Sequence, residues 1–93
     1  MVKLLIDVSI FNIYQTVFLI KDNKKIETLR VSMPELLTHI SNALDAENIA
    51  EIEFSGHKVY IDKIANDLLE TLKTTKYANR NVRIVINGEV FAE

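Results

Sequence analysis

The chain has no cysteine, a single proline and only two glycines in 93 residues. Without cysteine there is no disulfide framework, no thiolate zinc site and no thiol nucleophile. With so little glycine and proline there are few places for the chain to break, and no linker, repeat or low-complexity stretch is visible. No P-loop, dinucleotide fingerprint, G-x-S-x-G elbow or H-E-x-x-H pair occurs. The two histidines, His39 and His57, lack a supporting ligand spacing and read as surface residues. Apolar runs are only a few residues long, too short to span a membrane. Met1-Val2-Lys3-Leu4-Leu5-Ile6 opens like a signal peptide, but Asp7 interrupts it before an adequate hydrophobic stretch forms. The expected address is the cytoplasm.

What is present is an ordinary globular composition, 48% hydrophobic and 26% charged, enough for one core and one domain over residues 1–93. The net charge of −2 is unevenly spread. Residues 1–56 hold five Lys/Arg against eight Asp/Glu, whereas residues 57–86 hold six against three. A basic face on the later segment would suit phosphates or an acidic partner. A solvated helix face, with Lys73 and Lys76 near its negative end, accounts for the same excess more simply.

Hydrophobic period changes along the chain in an informative order. Val2, Leu4, Ile6 and Val8 alternate with Lys3, Leu5, Asp7 and Ser9, the pattern of a strand. Thr16–Lys21 is β-rich, Lys21-Asp22-Asn23-Lys24 is a tight turn, and Ile26, Leu29 and Val31 make a third strand with an irregularity between Ile26 and Leu29. Ser32-Met33-Pro34-Glu35 has the form of a capping box with proline in the first helical turn. Leu36, Leu37, Ile40, Ala43 and Leu44 follow as one helical stripe. Ile49–Phe54 is the fourth strand, Ser55-Gly56 a sharp turn, and Ile61, Ile64, Ala65, Leu68 and Leu72 line a second helix. Val82–Ile86 is a nearly continuous β-branched run suited to a buried strand. Asn87-Gly88 turns the chain, and Glu89–Glu93 is a short final strand or a tail. The order is βββαβαβ, which predicts an α/β domain with a five-stranded mixed sheet and two helices.

This order, together with Ile6-Asp7-Val8-Ser9 opening the meander, resembles the ribonuclease H-like fold. That fold is shared by Holliday-junction resolvases of the RuvC kind and, in duplicate, by actin-like and sugar-kinase-like ATPases. The resemblance covers about residues 2–86. It implies that Asp7 matches the first-strand aspartate that helps bind catalytic metal. It also implies that Glu53, at the end of the fourth strand, matches a second carboxylate on a neighbouring strand. Two such groups could hold Mg²⁺ and activate water for phosphodiester attack. The chain departs from the nuclease pattern in lacking a late acidic helix. It departs from the ATPase pattern because Ser9-Ile10-Phe11-Asn12-Ile13-Tyr14-Gln15 contains no glycine for phosphate to approach.

That glycine-free segment is notable for another reason. A polar turn is expected between two strands, yet it holds Ile10, Phe11, Ile13 and Tyr14. Either these side chains join the core, or they form an exposed patch for a partner or a second copy of the chain. The favoured reading is a small non-catalytic module without cofactor that binds protein, itself included. Its size and its Lys-, Asn- and Ile-rich composition suggest an accessory protein of a phage or mobile element. The alternative is a Mg²⁺-dependent nuclease or nucleic-acid-binding subunit using Asp7 and Glu53. In that reading His57, Lys58, Lys63 and Arg83 contact the anion, and Gly56 opens a helix that could cradle it.

Overall fold

In the computed structural model, which describes every residue except Ile10 and Asn12, the alternating first third becomes a three-strand meander. Strand β1 spans Val2–Val8, β2 Tyr14–Lys21 and β3 Lys24–Ser32. Helix α1 (Met33–Ala46), β4 (Ile49–Gly56), α2 (Lys58–Leu72), a 3-10 turn at Thr75–Tyr77, β5 (Arg83–Ile86) and β6 (Glu89–Ala92) follow. Asp22 and Asn23 both take positive φ, at 51° and 66°, so the β2–β3 turn is a two-residue reversal. Such a left-handed pair matches the right-handed twist of the strands it joins.

The strands form one mixed sheet in the order β3-β2-β1-β4-β5-β6. β1 pairs with β2 antiparallel and with β4 parallel, and β4 with β5 parallel. The α1 and α2 crossovers run the same way across the sheet, so right-handed connections place both helices on one face. The core confirms this. Leu4, Ile6, Val8, Val17, Ile52, Phe54, Ile84 and Ile86 of the sheet are buried with Leu36, Ile40 and Leu44 of α1 and Ile61, Ala65 and Leu68 of α2. Both predicted helical stripes are thus the inward ones. The other face of the sheet carries no helix. Lys3, Leu5 and Asp7 of β1 and Glu51, Glu53 and Ser55 of β4 lie on it.

Three local findings refine or correct the sequence reading. The sheet has six strands, not five. Asn87 (φ 48°) and Gly88 (φ 84°) make a tight reversal that lays Glu89–Ala92 back along β5, where Ile86 pairs with Glu89. The irregularity in the third strand is a bulge at Ile26, since Leu19 pairs with Glu27 but Ile20 with Lys25. The capping box does not form: Ser32 occupies the N-cap, yet its hydroxyl makes no capping hydrogen bond, and the helix starts on Met33-Pro34 alone.

Gly56 is the position where the fold admits no side chain. Its φ is 119°, and a Cβ there would collide with the Val8 carbonyl oxygen. The turn from β4 into α2 is clamped from both sides. The Gly56 amide donates to Asn87 Oδ1 at 3.0 Å, and the His57 amide donates to the Val8 carbonyl at 3.3 Å.

Candidate interaction surface

Four of the six strands, β1, β3, β4 and β5, run in the same direction, so their carboxyl ends meet at one end of the sheet. The β1–β2 connection, the first turns of both helices and the Asn87-Gly88 reversal gather there. At that end the apolar side chains face water. Phe11 is 90% exposed, Ile13 76%, Val59 72%, Tyr60 50% and Tyr14 49%. Ile10, expected to join them, lies outside the described residues. The opposite end holds the polar turns Asp22-Asn23 and Glu47-Asn48 and the Lys73–Asn81 segment, with Met1 and Ile26 as its exposed apolar side chains.

The tip of the β1–β2 connection is held at its base rather than by the core. The Ser9 amide donates to Gln15 Oε1 at 2.6 Å, and the Phe11 amide donates to Ser9 Oγ at 3.2 Å. Gln15 is only 1% exposed, the one polar side chain among the fully buried residues described. Above it the Arg30 guanidinium lies 5.4 Å from the Tyr14 ring centre. Of the two sequence alternatives for Phe11, Ile13 and Tyr14, the structure shows the exposed one. Beside the tip, a groove of about 370 Å³ opens between the first turns of the helices. Met33, Pro34, Leu37 and Tyr60 line it, with Lys63 and Asp67 also on its walls.

The candidate metal carboxylates occupy adjacent strands on the uncovered face, but they are drawn to different neighbours. Asp7 pairs across the ladder with Ser55, while Glu53 sits two residues earlier, opposite Leu5. The Lys3 ammonium, opposite Glu51, takes Glu53 at 2.7 Å and Glu51 at 3.1 Å. It therefore engages Glu53 from the side away from Asp7. The hydrogen bond to Glu53 is the main cause of a raised Lys3 pKa, opposed by partial burial. Asp7 is exposed and has no ion-pair partner among the described residues. No group of three or more His, Asp or Glu side chains is gathered in a metal-holding arrangement among the described residues.

The four proposed anion contacts do not share a surface. His57, Lys58 and Lys63 belong to the start of α2 on the helical side, with Lys58 paired to Asp62 at 2.9 Å. Arg83 lies across the sheet and pairs with Glu93 at 2.9 Å. The Gly56 and His57 amides are already given to Asn87 and Val8, as described above, so neither is open to an anion. The His57 ring instead sits against Tyr60, with ring centres 5.3 Å apart.

Sequence reasoning missed Val59 and Tyr60, although a signal existed. Both are large and apolar, and both fall off the Ile61, Ala65, Leu68 stripe of their own helix. It also missed Lys3 as the partner of both β4 glutamates, which only strand order could reveal. No helix is long and apolar enough to cross a membrane among the described residues. No protein-family model, curated protein or solved structure matches the chain.

Proposed function

We propose that the protein is a non-catalytic protein-binding module that also associates with itself. Its contact surface is the apolar end formed by Phe11, Ile13 and Tyr14. The observation that supports this reading is the cluster of exposed apolar side chains at one end of the sheet, with Phe11 and Ile13 the barest of them on the β1–β2 connection. Burying one such side chain is worth roughly 1.5–3 kcal/mol, and aromatic residues are the usual anchors of protein contacts. A ribonuclease H-like architecture is the structural background we propose, with β1 beside β4 as that likeness implies.

The test is the mass of the chain in solution and its response to Phe11→Asp. Light scattering should find a dimer for the unmodified chain and a monomer for the variant, with circular dichroism unchanged. A charge forced into an apolar contact costs several kcal/mol, about what one anchor contributes. A unmodified chain that stays monomeric at high concentration would overturn the proposal.

The nuclease alternative has one observation in its favour, the placement of Asp7 and Glu53 on neighbouring strands of one face. Lys3 weighs against it, because a metal at Asp7 would have to draw Glu53 off its ammonium partner.

A further inference from the structure

The uncovered face of the sheet is ordered in rows that run across the strands. One row reads Arg30, Thr16, Asp7 and Ser55 on β3, β2, β1 and β4. The next reads Thr28, Phe18, Leu5 and Glu53 and continues into Val85 and Val90. The third reads Lys25, Ile20, Lys3 and Glu51 and continues into Arg83. β3 presents Lys25 and Arg30, β4 presents Glu51 and Glu53, and β1 presents Asp7 together with Lys3, which pairs with both glutamates and leaves that group one negative charge in excess. The half-buried Phe18, Ile20 and Leu5 lie between. Lys25 and Arg30 lie over the Phe18 and Tyr14 rings, with Nζ 4.3 Å from the Phe18 centre.

We infer that this face docks a second copy of the chain, sheet against sheet, about a twofold axis parallel to the strands between β1 and β2. The inference rests on the reading that the chain associates with itself, and it names the geometry. In an isologous contact, where one residue meets a second on the other copy, the second meets the first in return, so the pattern must be complementary to itself across the axis. Here it is. The operation lays β2 on β1 and β3 on β4 while each row keeps its level. Phe18 then faces Leu5 of the other copy, Lys25 faces Glu51, Arg30 faces Ser55 beside Asp7, and Lys3, held on Glu51 and Glu53 of its own chain, faces Ile20. Turning the copies about an axis across the strands would instead set Arg30 against Lys25. Because the axis follows the strands, both apolar tips emerge at the same end, with Tyr14 of each copy next to the axis.

The size is sufficient for a modest dimer. Four strands at about 4.8 Å spacing and roughly seven residues long give a projected footprint of about 450 Å². Surface relief and the two tips bring this toward the lower range of stable contacts, roughly 600 Å² per partner. Sheets stacked in this way keep their strands within about 30° of each other.

Charge reversal decides the matter, read by sedimentation equilibrium of the full chain. Arg30→Asp and Asp7→Arg should each weaken the dimer about tenfold or more, because each sets like charges face to face. The double variant should recover most of the unmodified affinity. Both residues are exposed, and a thermal melt checks that each variant is folded. Single variants that dimerise as the unmodified chain does, or a double variant no better than the weaker single, would overturn the inference. The outcomes separate it from the reading it rests on. Dissociation by Phe11→Asp but not by Arg30→Asp removes the face and leaves the tip. The reverse result keeps the face and removes the tip, and a monomeric unmodified chain removes both.

Discussion

A single carboxylate shows how this small fold closes its connections. Asp45, near the end of α1, accepts from the Lys76 ammonium at 2.9 Å and from the Tyr77 hydroxyl at 2.9 Å. These bonds, the one from Lys76 foremost, hold the Asp45 pKa below its ordinary 3.8. Tyr77 itself is 4% exposed and fills the core beneath the long α2–β5 connection. Arg80 completes the clamp, donating to the carbonyls of Leu44 at 2.8 Å and Glu47 at 3.0 Å. A carboxylate whose folded pKa is lowered adds stability above its unfolded value and loses it as pH falls through the folded one. Asp45 should therefore favour the folded state at neutral pH and lose that contribution progressively as pH falls below about 4, with a smaller effect at high salt because the site is exposed. Melting temperatures of the chain and of Asp45→Asn should differ at neutral pH and converge in acid. An equal gap at all pH values would rule out the carboxylate as the source.

At the scale of elements, packing outweighs end chemistry. Leu68 is fully buried on the inward stripe of α2, so Leu68→Ala should cost roughly 2–5 kcal/mol through lost burial and the cavity left behind. Ser32→Ala is the informative contrast. A working N-cap is worth about 1 kcal/mol, but the Ser32 hydroxyl makes no capping bond, and removing it should change stability by less than about 0.5 kcal/mol. Urea denaturation of both variants measures the difference. A Ser32 loss as large as that of Leu68 would mean that the cap forms in solution. The edges of the sheet are managed separately. β3 carries the Ile26 bulge beside Lys24 and Lys25, and β6 is four residues long, both devices that discourage edge pairing. Association through a face or an end, rather than through strand addition, is consistent with such edges.

For the whole molecule, the open question is whether the uncovered face does chemistry or contact. Metal binding there would have to relieve repulsion between Asp7 and Glu53, yet Glu53 is already paired with the Lys3 ammonium that it shares with Glu51. Millimolar Mg²⁺ or Mn²⁺ should therefore leave the melting temperature unchanged, since a ligand stabilises only in proportion to its occupancy of the folded state. A rise that vanished in both Asp7→Asn and Glu53→Gln would instead bring the nuclease reading forward.

The sequence by itself determined the elements and their inward faces. Period-two alternation marked β1, and period-3.6 stripes marked both helices, because burial on one side imposes those spacings whatever the neighbours are. Turn chemistry placed the Asp22-Asn23 and Asn87-Gly88 reversals, since few residues accept positive φ. Whether Glu89–Ala92 formed a strand or a tail was decided only by its pairing with β5, a contact between segments whose pattern is too short to be periodic. The Ser32 cap failed for a related reason: a motif names possible partners, while the backbone approach angle decides whether they meet. Tertiary structure alone put Lys3 between Glu51 and Glu53 and sent Lys58 and Arg83 to different faces. It alone brought Tyr14 and Phe11 to the same end as Val59 and Tyr60. Strand order sets these neighbours, and strand order is fixed by long-range burial that no local stretch of residues encodes.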